Sequence, residues 1–266
     1  MTPPTSTLYP SPPQPTATPA ARRAPQARSR RVTDAPTRMF HWLFALSFVG
    51  AYVTAESEHF RLLHVTLGYT LAGLLVFRAV YGFLGPRSMG LGLLWRKVSG
   101  APDWLRSLWR ARPLSDAAPA GAGVNWRQGQ NLGMAAAIVL MLATVLPLTL
   151  SGYGSYNEWG DVLGGDWLEE VHEFFGNAML MLVLSHLGLL LALSLLRRKN
   201  QALPMLTGRV DGPGPDLVAS NRSALAVLML LCVLAFGAWQ WQQSPQGLVS
   251  AQALGSLMQG DAGDDD

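Results

Sequence analysis

Residues 168–197 read LEEVHEFFGNAMLMLVLSHLGLLLALSLLR, and the rest of the chain is read outward from them. This is an apolar run of membrane-spanning length with two histidines, His172 and His186, set into it. Their separation of fourteen residues is four turns at about 3.5 residues per turn. Both imidazoles therefore fall on one helix face, roughly 21 Å apart along the axis. Ionisable residues inside a bilayer are costly, usually face the bundle interior and usually carry function. One helix thus offers two ligands at two depths, and the question is whether other spans supply a partner at each.

Composition agrees with a membrane setting. Only 14% of the residues are charged and 49% are hydrophobic, too apolar for an ordinary soluble domain. The single cysteine, Cys232, lies inside an apolar run as a small lipid- or helix-facing residue. It excludes an internal disulfide, and the absence of a C-x-x-C-H motif excludes covalent c-type haem attachment.

Four more apolar runs flank or precede the quoted one. The first starts at T-D-A-P-T-R-M-F-H-W, with Asp34 as N-cap and Pro36 in the first turn, carries His41 one turn inside, and ends near Ala55. A short connection forces the second, about 62–84, to return antiparallel; it carries His64 and, fourteen residues on, Arg78. A third span, 132–152, contains Pro147 and no histidine, and a fifth covers about 223–241. The reading is an all-α integral membrane protein: a four-helix transmembrane bundle plus a fifth C-terminal transmembrane helix.

The charges sort by loop. Residues 1–32 are Pro-, Ala- and Arg-rich, read as a disordered basic tail. Residues 85–131 mix basic side chains (Arg87, Arg96, Lys97, Arg106, Arg110, Arg112 and Arg127) with Trp95, Trp104, Trp109 and Trp126. Between two spans this mixture means a stretch lying on anionic lipid rather than a nucleic-acid surface. Glu158, Asp161, Asp166, Glu169 and Glu170 lie on the other side, and the chain ends at Asp264, Asp265 and Asp266. By the positive-inside rule the N-terminus is cytoplasmic, and five crossings put the acidic C-terminal tail outside. The units are then the tail 1–32, a transmembrane domain 33–210, and 211–266 as linker, fifth helix and external tail.

With orientation set, His64 and His172 share the outer level and His41 and His186 the inner one. Two imidazoles facing across a gap suit a hexacoordinate haem, which needs one axial nitrogen on each side, whereas a structural zinc wants four ligands at one depth. Arg78 and Arg38, at the inner level, would pair with haem propionates. His41 lies only three residues from Arg38, which requires the helix to start before Arg38 and that arginine to snorkel or bind a buried anion. Gly68 and Gly176 each follow an outer histidine by four residues; close helix packing is the preferred reading for them, room for a flat macrocycle the other. His59 is read as a solvated loop residue.

These motifs, P-T-R-x-F-H-W at His41, R-L-L-H-V-x-L-G-Y-T at His64, V-H-E-x-x-G-N at His172 and the closing L-P-M-L-T-G-R, resemble the bacterial cytochrome b561 family. The branch is the one related to the b-type cytochrome subunit of Ni,Fe-hydrogenases. The resemblance covers about residues 33–210. It implies a four-helix bundle in the bacterial cytoplasmic (inner) membrane holding two non-covalent b haems, ligated by His41, His64, His172 and His186. It also implies electron transfer between the quinone pool and a redox partner such as a c-type cytochrome or a dehydrogenase or hydrogenase subunit. The fifth span and both tails depart from the family pattern. Two other readings stand beside it: a transporter or proton pathway lined by these histidines without haem, and a structural membrane anchor.

Overall fold

Asp34 turns an extended N-terminal segment into a helix. Its Oδ1 accepts the Thr37 N–H at 3.1 Å, and Pro36 sits in the first turn, where an amide has no partner to lose. Helix α1 then runs Ala35–Thr54. A single 3-10 turn, Glu58–Phe60, hands the chain to α2, Arg61–Leu84. The computed structural model describes residues 29–86, 90–110, 125–163 and 165–243. The tail through residue 28, Arg87, Arg112 and the terminal Asp264, Asp265 and Asp266 lie outside them.

The basic segment after α2 contains two short helices, α3 (Leu91–Ser99) and α4 (Ala101–Arg110), with Trp95 and Trp109 exposed. Helix α5, Trp126–Tyr156, is longer at both ends than its apolar run. Asn125 caps it by accepting the Gln128 N–H at 3.1 Å, so Arg127 belongs to its first turn and not to the preceding loop. Pro147 costs one ladder hydrogen bond but does not break the helix. A short α6 (Trp159–Leu163) precedes α7, Trp167–Arg197. Arg198, left-handed at φ 48°, ends α7 and lets the Lys199 N–H reach the Ser194 carbonyl at 3.2 Å. Then come α8 (Leu203–Thr207) and α9 (Ser223–Gln243).

Two features at the basic end were not visible in the hydropathy pattern. Ser29–Arg31, counted above with the disordered tail, forms strand β1, paired antiparallel with β2, Arg209–Asp211. The boundary after residue 210 is likewise no break, because Asp216 accepts the Arg31 N–H at 2.6 Å and Arg31 accepts the Leu217 N–H at 2.9 Å. Two segments far apart in sequence thereby tie the start of α1 to the approach to α9.

Close backbone packing occurs within two hairpins, α1 with α2 and α5 with α7, and between α2 and α5. Phe48, Leu71, Val145, Leu148 and Met179 form the core where these four helices meet. Helix α9 packs on α1 and α2, its Met229 joining Phe40 and Leu74. It starts beside Tyr81 and Arg222, and its Trp239 and Gln240 line a groove with Tyr69 and Tyr153, so it extends along the height of the bundle. Among the described residues, four helical stretches are long and apolar enough to cross a membrane: Glu58–Leu84, Trp126–Tyr156, Trp167–Arg197 and Ser223–Gln243. Their outward side chains are large and apolar; Phe83, for example, is 80% exposed. In lipid such faces are solvated, and helix association rests on shape and on interhelical hydrogen bonds. The chain is a multi-pass, mostly helical membrane protein.

Asp34, 0% exposed, is the strongest of those hydrogen-bonding centres. Its Oδ2 accepts the Tyr81 hydroxyl of α2, and Tyr81 in turn accepts Arg222 Nη1 at 3.3 Å from the entry to α9. Asp34→Ala removes a cap and strands a buried hydroxyl, so it is expected to lower stability by about 2–4 kcal/mol. Tyr81→Phe, which removes only one donor, is expected to cost less. Thermal unfolding in detergent measures both, and an Asp34→Ala protein that melts like wild type would refute this role.

Candidate functional site

The two hairpins present histidines to one another by the same local device. In α2, His64 Nδ1 donates to the Ala51 carbonyl of α1 at 2.8 Å. In α7, His172 Nδ1 donates to the Leu148 carbonyl of α5 at 2.9 Å. The Thr54 and Ser151 hydroxyls lie 3.2 Å and 3.1 Å from these two carbonyls but donate at shorter range, 2.7 Å each, to Gly50 O and Pro147 O. A carbonyl only accepts, so both Nδ1 atoms carry a proton, and in the neutral imidazole Nε2 is then the nitrogen with the lone pair. The two rings stand 5.9 Å apart between centroids, at 78°. The structure therefore brings His64 and His172 together across the gap between hairpins, with their basic nitrogens uncommitted.

Gly152 makes room for this. A Cβ at that position would lie 2.7 Å from His172 Cε1 and 2.8 Å from Nδ1, so the ring occupies the space a side chain would take. Sequence reasoning passed over Gly152 because α5 contributes no histidine and nothing in the residues around Gly152 signals that a ring packs on it. At Gly68 a Cβ would meet nothing within 4 Å, and at Gly176 only Leu148 Cδ1 at 3.9 Å. Close helix packing, the preferred sequence reading, does not explain Gly68, which borders open space.

Fourteen residues further along α7, His186 lies on the same face as His172 and within electrostatic reach of His41 on α1. Here the bonding differs. Nδ1 of His41 and Nδ1 of His186 are buried with no hydrogen-bond partner, and so are Thr37 Oγ1 and Arg38 Nε. Among the described residues these four atoms are the buried side-chain nitrogens and oxygens left so, and three of them lie within two turns of α1. The structure meets the requirement that α1 begin before Arg38, and supplies Arg38 with a carbonyl besides any anion: Nη1 donates to Leu206 O at 3.0 Å on α8. Gly208, at φ 76°, permits that approach, since a Cβ there would lie 2.8 Å from Thr33 O and 3.2 Å from Arg38 Nε.

The two levels are separated by an apolar layer. Phe48, Leu71 and Met179 each follow a histidine, His41, His64 and His172, by seven residues, and they meet in the core with Val145 and Leu148. One further heptad beyond Leu71 is Arg78, 9% exposed and electrostatically coupled to Asp34 and Tyr81. His59 is exposed beside Phe60, in the short connection. No group of three or more His, Cys, Asp or Glu that could hold a metal ion occurs among the described residues.

The geometry is that of a helical membrane bundle with paired imidazoles at two levels. The family model described as prokaryotic cytochrome b561 matches residues 32–208, and the chain belongs to that family, whose designation also carries the hydrogenase-related branch. No curated protein and no solved structure matches the chain. Members of the family are transmembrane b-type cytochromes of electron transfer, which typically bind haem b. Helix α9 lies outside the matched residues.

Gly152→Ala pushes a methyl into the His172 ring and is expected to cost about 1–3 kcal/mol of stability by overpacking. Gly188→Ala on α7, where a Cβ would meet nothing within 4 Å, serves as control and is expected to be neutral or slightly stabilising. Equal melting of the two variants in detergent would contradict the packing described at His172.

Proposed function

We propose that this chain is a transmembrane dihaem b cytochrome, with one haem held between His64 and His172 and the second between His41 and His186. The observation that carries it is the facing His64–His172 pair, each ring with Nδ1 committed to a backbone carbonyl and Nε2 left to ligate. That second-shell bond fixes tautomer and ring orientation in metal-ligating histidines. A haem supplies four equatorial nitrogens and a reversible one-electron couple, so two imidazoles per level suffice.

Other features support the fit. The partnerless Thr37 Oγ1 and Arg38 Nε are polar atoms that the carboxylates of a bound group would satisfy. Arg38 and Arg78 are the propionate partners at that level. Open space beside Gly68 leaves room for a flat ring. The apolar layer of Phe48, Leu71 and Met179 keeps water from the path between the levels.

The topology we propose has five crossings, with α1 counted although its Arg38 and His41 lower its hydropathy, and with α9 as the fifth. The basic end, with the N-terminal tail, faces the cytoplasm, and the C-terminus is external. Residues 33–210 are the haem-binding domain, now with β1 and β2 fastening 29–32 and 211–218 to it. Electrons pass between quinone and a redox partner, a c-type cytochrome or a dehydrogenase or hydrogenase subunit; surrounding lipid is the remaining partner. A haem-free proton pathway is disfavoured, because beyond Glu173 on the second turn of α7 the described spans hold no Asp or Glu to relay protons across the bundle.

The test is a reduced-minus-oxidised visible spectrum of the purified full chain, with haem quantified as its pyridine complex. Wild type is expected to show a b-type signal of about two haems per chain, and His64→Ala and His186→Ala about one each. A colourless protein from haem-replete cells would overturn the proposal and make the proton-pathway reading the leading one.

A further inference from the structure

Between α2 and α9 runs a groove that the histidine levels do not use. Helix α9 packs mainly on α1, and toward α2 it leaves two cavities of about 510 Å³ and 640 Å³. Both are lined by Phe77 and Leu225, so they form one continuous groove. Its α2 wall is the stripe Tyr69, Gly73 and Phe77, at four-residue spacing. Gly73 is nine residues from His64, which at about 100° per residue places it on the opposite face of the helix. A Cβ at Gly73 would meet nothing within 4 Å, so the groove is open where the glycine lies. We propose that this groove holds one acyl chain of an anionic phospholipid whose phosphate pairs with Arg222. The inference does not depend on the haem reading.

Size excludes a protein helix as the occupant. From Leu225 to Gln240 the α9 wall is about 22 Å long, so the larger cavity averages about 30 Å² in cross-section. A helix about 10 Å across needs about 80 Å². A hydrocarbon chain, whose carbons pack at roughly 4 Å from their neighbours, needs about 20 Å². The walls are apolar over most of that length, with Leu74, Met229, Val233 and Phe236 facing the space. The stretch from Leu225 to Phe236, about 16 Å, matches one leaflet of a hydrocarbon core roughly 30 Å thick.

Charge selects the lipid. Arg222 lines the smaller cavity beside Tyr81 and Gly85, at the basic end of the groove. It is exposed and held at φ 48°, a left-handed backbone that a non-glycine residue rarely adopts, and its Nη1 donates to the Tyr81 hydroxyl at 3.3 Å. Among the described residues no carboxylate pairs with it, because Asp34 gives its two oxygens to the Thr37 N–H and to Tyr81. Most of the guanidinium donors are therefore available to a phosphate. A quinone, with an uncharged head, leaves that cation unanswered, and a zwitterionic lipid brings a second cation beside it. An anionic phospholipid answers Arg222 while its chain covers the apolar walls, and such lipids concentrate where basic residues cluster.

The experiment measures lipid binding to the full-length protein, stripped of lipid in detergent, by native mass spectrometry and thermal melting. The probes are phosphatidylglycerol, phosphatidylcholine with the same acyl chains, and glycerol phosphate. Wild type is expected to hold about one phosphatidylglycerol per chain, roughly tenfold more tightly than phosphatidylcholine, and to melt higher with it. Arg222→Gln should erase that preference and Arg222→Lys should restore most of it. Gly73→Leu, which fills the groove, should weaken both lipids. Equal binding of the two lipids to wild type, or a preference that survives Arg222→Gln, would overturn the inference. So would a melting shift from glycerol phosphate as large as from the lipid, a co-purified quinone lost in Gly73→Leu, or a dimer abolished by that substitution. These readouts are independent of haem content, and should Gly73→Leu not fold, Arg222→Gln still decides.

Discussion

A polar ring nitrogen buried among helices needs a partner, and this structure is organised by how it meets that demand at His64 and His172 and leaves it open at His41 and His186. Helices carrying imidazoles cannot associate through apolar burial alone, since lipid solvates a leucine as well as another helix does. What fixes the α1–α2 and α5–α7 hairpins in register is the pair of imidazole-to-carbonyl bonds, His64 to Ala51 and His172 to Leu148. Once those rings are placed, the fourteen-residue spacing on α7 determines where His186 lies, and seven-residue spacing determines which side chains fill the layer between.

At the basic end the same demand is met by charge. Asp34 caps α1, accepts Tyr81 from α2 and, through Tyr81, connects to Arg222 at the start of α9. The β1–β2 pair and the Arg38–Leu206 bond close the same end from the other side. Helix α9 is thus fastened at its base and packed along its length, an addition to the family bundle held by the family's own first helix. Its Cys232 lies exposed on the groove toward Tyr69 and Tyr153, as a small apolar residue there would.

Much of this was legible from the chain because helical periodicity is a long-range ruler. His64 with Arg78, and His172 with His186, are each fourteen residues apart, a spacing read directly from the sequence, and Asp34 with Pro36 marks a helix start by local chemistry. Illegible features depend on backbone groups or on a partner strand. Nothing in the residue Ala51 or Leu148 announces that its carbonyl serves an imidazole, and Gly152 has meaning only once His172 faces it. The strand at Ser29–Arg31 was hidden because three polar residues carry no periodic signal, and its partner lies 180 positions away. The early start of α5 was hidden because Asn125 precedes a polar first turn, where hydropathy is silent.

The claim on which the account depends is that one helix, α7, supplies an axial ligand to two separate irons. Low-temperature electron paramagnetic resonance of the oxidised full-length protein tests it directly, with His172→Ala and His186→Ala measured alongside. Two distinct low-spin ferric signals are predicted in the wild-type protein, with a different one lost in each variant. A single signal, or both signals surviving either substitution, would contradict it.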